Sequence, residues 1–500
     1  MDLDVVGLHY DSRQVGQGGA FFALRGVVSD GHDFISSAIA NGARVVICEE
    51  TLEGIEQVTS ERSDPVTPKR SDPVITVQVE NSRRVMALAA AEFYGNPTQD
   101  MKVVGVTGTN GKTTITYMLE SILDRAGLAP AVVGTINYRY GADLHQAPHT
   151  TPESLDLMKQ ISDFWHAGAR SLAIEVSSHA LEQCRADGVH FHVGVFTNLT
   201  PEHLDYHRDM EQYFTSKYHL FKELLPRDNG RAVINIDDAY GRRLAGMIPA
   251  ALTCGRDQAA DIYPENIDVS LNGIYGRVAT PLGSVEVSSP LLGDFNVENL
   301  LCTVGAAVAL GLSPQIIAEG LAATTGVPGR LEQIENDRDA VILVDYAHTS
   351  DALRRAIEAM NELAPRRILT VFGCGGDRDR SKRPIMAEVA ARGSDITIAT
   401  SDNPRTEDPE QILNDVRSGL IKVHECEWSK AEAVVGAGRG YVVIPDRRQA
   451  IEFAVSLLQP GDLLLVAGKG HEDYQILGTG RIYFDDREEL RRALQAGGRQ

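Results

Sequence analysis

In MKVVGVTGTNGKTTITY, residues 101–117, an apolar run of strand character enters a glycine-rich turn, and Gly111-Lys112-Thr113-Thr114 then opens a helical pattern. Strand, turn and helix in that order make a phosphate cradle, because backbone N–H groups of the turn and of the helix N-terminus point at phosphate oxygens. Lys112 is placed to neutralise β- and γ-phosphate charge, and the Thr113 hydroxyl to hold Mg²⁺. The stretch predicts an ATP site built from Gly108, Thr109, Asn110, Gly111, Lys112, Thr113 and Thr114. The general loop pattern has glycine five residues before Gly111; this chain has Val106 there, and its glycines recur at Gly105, Gly108 and Gly111.

Outward from that loop, apolar strand candidates alternate with helical stretches. Val103–Thr107, Ser171–Glu175, Val193–Thr197 and Ala232–Asn235 are the candidates in a central block, about 99–328. A third block, 329–500, repeats the style with Val341–Asp345, Ile368–Phe372, Ile396–Thr400 and Asp462–Ala467. Such alternation predicts mostly parallel sheets covered by helices, with ligands at the carboxyl ends of the strands. Residues 1–98 form a first, smaller α/β block with strands near 43–48 and 74–77 and a helix over 82–94. Pro328-Gly329 reads as a hinge between the later blocks. The near-repeat of Ser63-Asp64-Pro65-Val66 as Ser71-Asp72-Pro73-Val74 reads as an expanded surface loop.

Composition narrows the class. Five hundred residues, 43% of them hydrophobic, suffice for about three domains. A formal charge of −21 opposes a general nucleic-acid surface. Six scattered cysteines without a C-x-x-C pair fit thiols of a reducing compartment. No run approaches the apolar length of a membrane span, and the N-terminus lacks the pattern of a signal peptide, so a cytoplasmic protein without membrane insertion is expected. The chain is taken as a monomer acting on small molecules.

Glu175 stands where a buried strand ends, which makes it a candidate Mg²⁺ ligand. Asn198 to His207 follows the next strand. His203 and His207 are spaced i, i+4, but the glutamate precedes His203, so the zinc-protease pattern is absent. The pair reads either as solvated helix histidines or as metal and phosphate contacts.

Gly108-Thr109-Asn110-Gly111-Lys112-Thr113-Thr114 resembles the ATP loop of the Mur ligases, which build the peptide of cell-wall precursors, and of the related folylpolyglutamate synthetases. The resemblance implies three α/β domains: an N-terminal UDP-binding domain over 1–98, a central P-loop domain over 99–328 and a Rossmann-like C-terminal domain over 329–500. It implies that Lys112, His203 and Lys217 serve catalysis, with Thr113, Glu175, His203 and Lys217 around Mg²⁺ and Lys217 modified to a carbamate. Asn299 would meet adenine, Arg330 the phosphates and Asp345 the ribose. Ser12, Thr150, Thr151, Ser177, Gln183 and Arg185 would hold the UDP-muramyl dipeptide, as would the segments Asp11–Arg13 and Gly26–His32. His149 stands where an asparagine is often found.

The third block carries the specificity signal. Gly373–Arg378, Asp402-Asn403-Pro404-Arg405 and Gly468-Lys469-Gly470-His471-Glu472 each follow an apolar strand, so they converge on one crevice. The family context places the incoming amino acid there, with Arg378, Asp402, Asn403, Pro404, Arg405, Gly468 and Glu472 around it. Guanidinium forks suit carboxylates and an acid suits an ammonium, which together favour meso-diaminopimelate. Lysine lacks the distal carboxylate and would set its ammonium against Arg405. The expected activity is ATP-dependent addition of meso-diaminopimelate to UDP-N-acetylmuramoyl-L-alanyl-D-glutamate. A lysine-adding ligase, a folylpolyglutamate synthetase and a nucleotide-gated binding protein are the alternatives.

Overall fold

The computed structural model describes residues 4–26, 29–50, 74–226, 228, 230–435 and 438–497. The near-repeat at 63–73, and Val27 and Val28 of the Gly26–His32 segment, lie outside the described residues. By contacts the chain divides into two compact units, one of Met1–Thr107, Leu128–Gly194 and Glu211–Ala232, the other of Gly108–Gly127, Val195–Met210 and Val233–Gln500.

In the first unit, a parallel sheet is formed by Leu8–His9, Gly19–Phe22, Ala43–Cys48 and Ile75–Gln78, in that spatial order. Phe21, Ala23, Ile35, Ala38, Val46 and Cys48 form its core. The helix Ser82–Phe93 follows, its first turn capped by the Asn81 side chain, which accepts from Arg84 N–H. A second sheet of this unit pairs Lys102–Thr107 with Ser171–Glu175 and that strand with Pro130–Val133, all parallel. The hairpin strands Asn137–Tyr140 and Asp143–Gln146 extend it antiparallel. Val103, Val104 and Val106 are wholly buried, as a strand covered on both faces requires.

The second unit centres on a six-stranded sheet ordered Glu332–Gln333, Val341–Asp345, Asp462–Ala467, Arg367–Cys374, Ile396–Ser401, Gly440–Val443. All pairings are parallel except that of the first edge strand. Successive side chains point to opposite faces, and both faces are buried. Leu343, Phe372, Leu463, Leu465 and Ala467 pack into one core, and Ile342, Val344, Leu369, Val371, Leu464 and Val466 into the other. The carboxyl ends of the parallel strands share one edge of this sheet, so the loops after Asp345, Cys374, Ser401 and Ala467 emerge together.

The strands that were expected agree with the observed ones to within two residues, while the short strands Leu8–His9, Gly19–Phe22, Pro130–Val133, Asn137–Tyr140, Asp143–Gln146 and Gly440–Val443 were not singled out. Nor was a three-stranded antiparallel sheet, Tyr263–Ser270, Gly273–Ala279 and Val285–Ser289, anticipated from the alternation of strands and helices. Its strands keep many exposed polar residues and lack a continuous apolar run. Pro328-Gly329 is tightly tied: Gly329 N–H donates to Glu332 Oε2 at 2.7 Å, and Gly329 O accepts from Tyr346 N–H at 2.8 Å.

Behind the sheet edge, Arg447 and Asp486 form a fully buried ion pair, with N–O distances of 2.8 and 2.6 Å. Arg447 also donates to the carbonyl of Ala467, the last residue of its strand, at 3.0 Å. Removing one partner of such a pair leaves an uncompensated buried charge. Arg447→Ala is expected to destabilise folding by about 3–5 kcal/mol, read as a lowered urea midpoint; a midpoint unchanged from the parent would contradict this account of the sheet edge.

Candidate functional site

The phosphate loop opens the helix Lys112–Arg125, with Gly111 at its N-cap in the left-handed region, φ 89°. A Cβ at Gly111 would lie 2.1 Å from Asn299 Oδ1, and one at Gly108, φ 148°, would lie 1.8 Å from Thr197 Oγ1. Both glycines are therefore required by close approach as well as by backbone conformation. Thr197 Oγ1 donates to Asn110 O at 2.6 Å, Asn110 N–H donates to Asn198 Oδ1 at 2.9 Å, and Thr109 N–H donates to Asn198 O at 2.9 Å. The loop is thus shaped by the chain just after the strand Val193–Phe196. Lys112 Nζ donates to Gly108 O at 2.9 Å and Thr109 O at 2.7 Å.

Around this loop the second unit forms a pocket lined by Asn110, Gly111, Thr113, Asn299, Arg330 and Asp345, among others. Asn299 is buried and donates to Asn296 Oδ1 at 2.7 Å. Arg330 reaches to 3.4 Å from Thr113 Oγ1, its Cζ lies 4.9 Å from the Tyr346 ring centroid, and its buried Nε–H has no hydrogen-bond partner among the described residues. Asp345 accepts from Leu331 N–H at 2.7 Å and Ala347 N–H at 2.8 Å. Burial pushes its carboxyl up, against the pull of Arg330 and of those two N–H groups. Thr113, Asn299, Arg330 and Asp345 are therefore brought together. Glu298, also lining this pocket, has its carboxyl pushed up by burial.

The sheet edge of the same unit gathers the third-block residues. Asp402, Asn403, Gly468 and Glu472 meet in two pairs: Asn403 Nδ2 donates to Glu472 Oε2 at 3.0 Å, and a Cβ on Gly468 would lie 2.7 Å from Asp402 Oδ2. Arg405, at φ 52°, donates from Nη1 to Gly376 O at 2.8 Å, and its backbone is held by Ile476 O and Gly478 N–H. Neither Arg405 nor Arg378 makes an ion pair among the described residues. The nearby Arg383 is paired with Glu407 and Asp415, and Arg380 with Asp415. The Arg405 and Arg378 guanidiniums thus donate to backbone carbonyls, Arg378 to Asp377 O at 3.1 Å, and keep no carboxylate partner among the described residues.

In the first unit, Ser12 and Glu153 line an open cavity of about 850 Å³ together with Tyr10, Arg13, Asn41 and Arg83. Beside Glu153, Arg185 is held by Gln183 Oε1 at 2.6 Å, Thr151 O at 3.0 Å and Glu153 Oε1 at 3.1 Å. Thr151 Oγ1 accepts from Ser177 N–H at 3.1 Å and donates to Glu175 O at 2.8 Å; Thr150 lies 3.1 Å from Thr135 Oγ1. The Glu175 carboxylate is buried and accepts from Thr135 N–H at 2.9 Å and Thr135 Oγ1 at 3.0 Å. Lys217 is buried on the helix Met210–His219, with Nζ 4.7 Å from the Tyr213 ring centroid.

The metal candidates divide between the units, Glu175 and Lys217 in the first, Thr113 and His203 in the second. His203 is at the N-cap of the short helix Leu204–His207, at φ 57°, and His207 is buried, so these two are not a pair of solvated helix histidines. Among the described residues no group of three or more His, Cys, Asp or Glu side chains is arranged to hold a metal, and no helix is long and apolar enough to cross a membrane.

Two site neighbours escaped sequence reading. Lys469 is wholly buried and donates to Glu472 Oε2 at 3.1 Å. His471 packs 5.0 Å from the Tyr346 ring, has a buried Nδ1 without a hydrogen-bond partner among the described residues, and has its pKa pushed down to about 3, chiefly by burial and secondly by Arg330. Both stand in a quoted motif, but burial of a lysine or histidine has no sequence mark of its own when it depends on distant residues, here Asn403 for Lys469 and Tyr346 for His471.

Comparison with known proteins gives matches along the chain. Residues 4–94 match the model described as Mur ligase family, catalytic domain; 106–307 match Mur ligase middle domain; 329–470 match Mur ligase, glutamate ligase domain. A protein of Geobacter metallireducens named UDP-N-acetylmuramoyl-L-alanyl-D-glutamate–2,6-diaminopimelate ligase is 49% identical, covering 99% of this chain and 94% of its own length. A protein of Gloeobacter violaceus with the same name is 44% identical, over 99% and 94%. A solved structure, also of a UDP-N-acetylmuramoyl-L-alanyl-D-glutamate–2,6-diaminopimelate ligase, aligns with a TM-score of 0.68 at 35% identity, covering 99% of this chain and 96% of that one.

The packing of Gly111 generates a test that needs no turnover. Gly111→Ala is expected to weaken binding of a fluorescent ATP analogue by about ten-fold or more, with the protein still folded by circular dichroism; affinity equal to the parent would show that the loop tolerates a Cβ against Asn299.

Proposed function

This chain belongs to the Mur ligase family, and on that premise we propose that it is an ATP-dependent ligase joining meso-diaminopimelate to UDP-N-acetylmuramoyl-L-alanyl-D-glutamate in peptidoglycan-precursor synthesis. The reading divides the chain into a precursor-binding domain over 1–98, a P-loop domain over 99–328 and an amino-acid-binding domain over 329–500. It takes the chain as a cytoplasmic monomer. The observation that carries it is the crevice at the sheet edge, where the guanidiniums of Arg378 and Arg405, neither paired with a carboxylate among the described residues, stand on the loops of the edge that also carries Asp402, Asn403 and Glu472.

ATP binds the Gly108–Thr114 loop in this reading, with Asn299 at adenine, Arg330 at the phosphates and Asp345 at the ribose. Arg330 already stands near Thr113 Oγ1, which supports a place at the phosphates. The precursor lies in the cavity beside Ser12, with Thr150, Thr151, Ser177, Gln183 and Arg185 toward its peptide. The glutamate γ-carboxylate attacks the ATP γ-phosphorus, ADP leaves, and an acyl phosphate forms. The neutral amine of diaminopimelate then attacks the acyl carbon, the C–O bond to phosphate breaks, the amide forms and a proton is lost from nitrogen. Lys112 and Arg330 offset charge on the transferring phosphoryl, a step governed by positioning and electrostatics.

The Thr113 hydroxyl and the Glu175 carboxylate are hard oxygen donors, the kind that Mg²⁺ takes. With His203 and a carbamate formed on the buried Lys217 they would hold Mg²⁺, which supplies positive charge to the phosphates. A carbamate would turn the side chain into an anionic oxygen donor of the kind Mg²⁺ takes, and burial favours the neutral amine from which it forms.

The distal carboxylate of diaminopimelate would pair with Arg405 and its ammonium with the neighbouring acids. In the parent protein, phosphate release with the UDP-dipeptide present is expected to depend on meso-diaminopimelate and to be near background with L-lysine or no amino acid. In Arg405→Ala, KM for diaminopimelate is expected to rise by about a hundred-fold or more, as befits the loss of a charge-assisted bidentate contact. Release with lysine in place of diaminopimelate would keep the ligase and overturn the role of Arg405; release with neither would discard the acceptor assignment.

A further inference from the structure

Lys469 is the one side chain in the crevice whose burial demands an explanation beyond the roles already given. It is 0% exposed, and an isolated ammonium taken out of water is strongly disfavoured. Its charge is met by Glu472 Oε2 at 3.1 Å and Asn403 Oδ1 at 3.4 Å, with the Tyr474 ring centroid 5.3 Å from Nζ. Asn403 and Glu472 belong to the two motifs that flank the proposed amino-acid site, and they are bonded to each other through Asn403 Nδ2. One buried cation therefore orients both: it draws the Asn403 amide oxygen inward, which turns the amide nitrogen toward Glu472, and it engages the carboxylate oxygen that receives that nitrogen. Ile476 N–H, donating to Asn403 Oδ1 at 3.0 Å, closes the arrangement.

The same cation sets the local charge. Asp402 is buried, and Glu472 is largely so. The Arg447–Asp486 pair behind them is self-compensating. Among the described residues, Lys469 is the buried cation in contact with Glu472, while Arg447, which also feels Asp402 and Glu472, is already matched by Asp486. With Lys469 present, one negative charge remains for a ligand ammonium, and Arg378 and Arg405 at the rim remain for carboxylates. Without it, two negative charges face the ligand, and a side chain ending in a bare ammonium gains over one ending in ammonium and carboxylate together.

Resting on the ligase reading above, we propose that Lys469 is a specificity-determining positioning residue: acting through Asn403 and Glu472, it makes the crevice select an amino acid whose distal end is zwitterionic over one whose distal end is a lone ammonium. Lys469 does not touch the reacting atoms in this account.

The test is steady-state phosphate release with meso-diaminopimelate and with L-lysine, by the parent protein, Lys469→Met, Lys469→Arg, Glu472→Gln and the double variant Lys469→Met/Glu472→Gln. In Lys469→Met, KM for diaminopimelate is expected to rise by about ten-fold or more while KM for ATP changes by less than about two-fold, and the ratio of kcat/KM for diaminopimelate over lysine to fall by about ten-fold or more. In the Glu472→Gln background the same Lys469→Met change is expected to cost less than about two-fold further, because its effect runs through the carboxylate already removed. Lys469→Arg, which keeps the charge, is expected to hold the selectivity ratio within about three-fold. Equal proportional losses with both amino acids in Lys469→Met would show support of the fold alone and overturn the proposal, as would additive losses in the double variant. Should Lys469→Met fail to fold, a folded Lys469→Arg whose ratio collapses overturns it equally. Parent protein whose phosphate release ignores diaminopimelate overturns the ligase reading and this inference together, whereas parent protein that depends on diaminopimelate beside an unaltered ratio in Lys469→Met overturns the inference alone.

Discussion

Gly111 turns the chain at φ 89° against Asn299, and the 2.1 Å that separates the place of a Cβ from Asn299 Oδ1 leaves no room for any other residue. The nucleotide pocket depends on that contact. It seats the start of the helix Lys112–Arg125, so that Thr113 comes within reach of Arg330, and it lets Asn299 face the loop while its amide nitrogen is engaged by Asn296. The positive φ alone would cost a side chain on the order of 1–2 kcal/mol; the steric overlap makes that secondary. Thr197 and Asn198 complete the fit from the other flank by hydrogen-bonding the loop at Asn110.

The amino-acid crevice rests on a different physical footing. Parallel strands deliver their carboxyl ends to one edge, and the backbone groups released there are satisfied by side chains reached across the edge. Gln475 Nε2 donates to Asp402 O at 2.6 Å, and Arg447 donates to Ala467 O at 3.0 Å. The loops are therefore joined by polar contacts whose charges nearly cancel, and each such contact is worth most where water is excluded. This is why the loops after Ser401 and Ala467 hold a defined arrangement with little apolar surface of their own.

The sequence made the long central strands of the parallel sheets legible because they read as unbroken apolar runs, whereas shorter buried strands such as Gly19–Phe22, Pro130–Val133 and Gly440–Val443 were not singled out. Ser171–Glu175, Val341–Asp345 and Asp462–Ala467 needed no tertiary information to be placed. The phosphate loop and the three third-block motifs were legible for a related reason, since each follows such a run directly. The antiparallel sheet over 263–289 was not, because its half-exposed strands carry polar residues at the same density as loops. Lys469 was not legible either: its partner Asn403 lies 66 residues away, and only the fold shows that its charge is enclosed. His203 illustrates the limit of spacing, since i, i+4 assumes a helix that holds both histidines, and the helix begins one residue after the first.

The formal charge of −21 describes the chain as a repeller of anions, yet the proposed substrates are anionic or zwitterionic. The two statements are compatible because salt screens exposed charges within about 8 Å at physiological ionic strength, so recognition is decided by groups within contact distance. What matters at that range is which cations are already paired. Arg383 has two carboxylates and Arg447 a buried one, while Arg378 and Arg405 have none among the described residues. A count of arginines cannot make this distinction; the pairing can. Selectivity between two amino acids differing by one carboxylate then depends on single charges, and the enclosed ammonium of Lys469 is one of them.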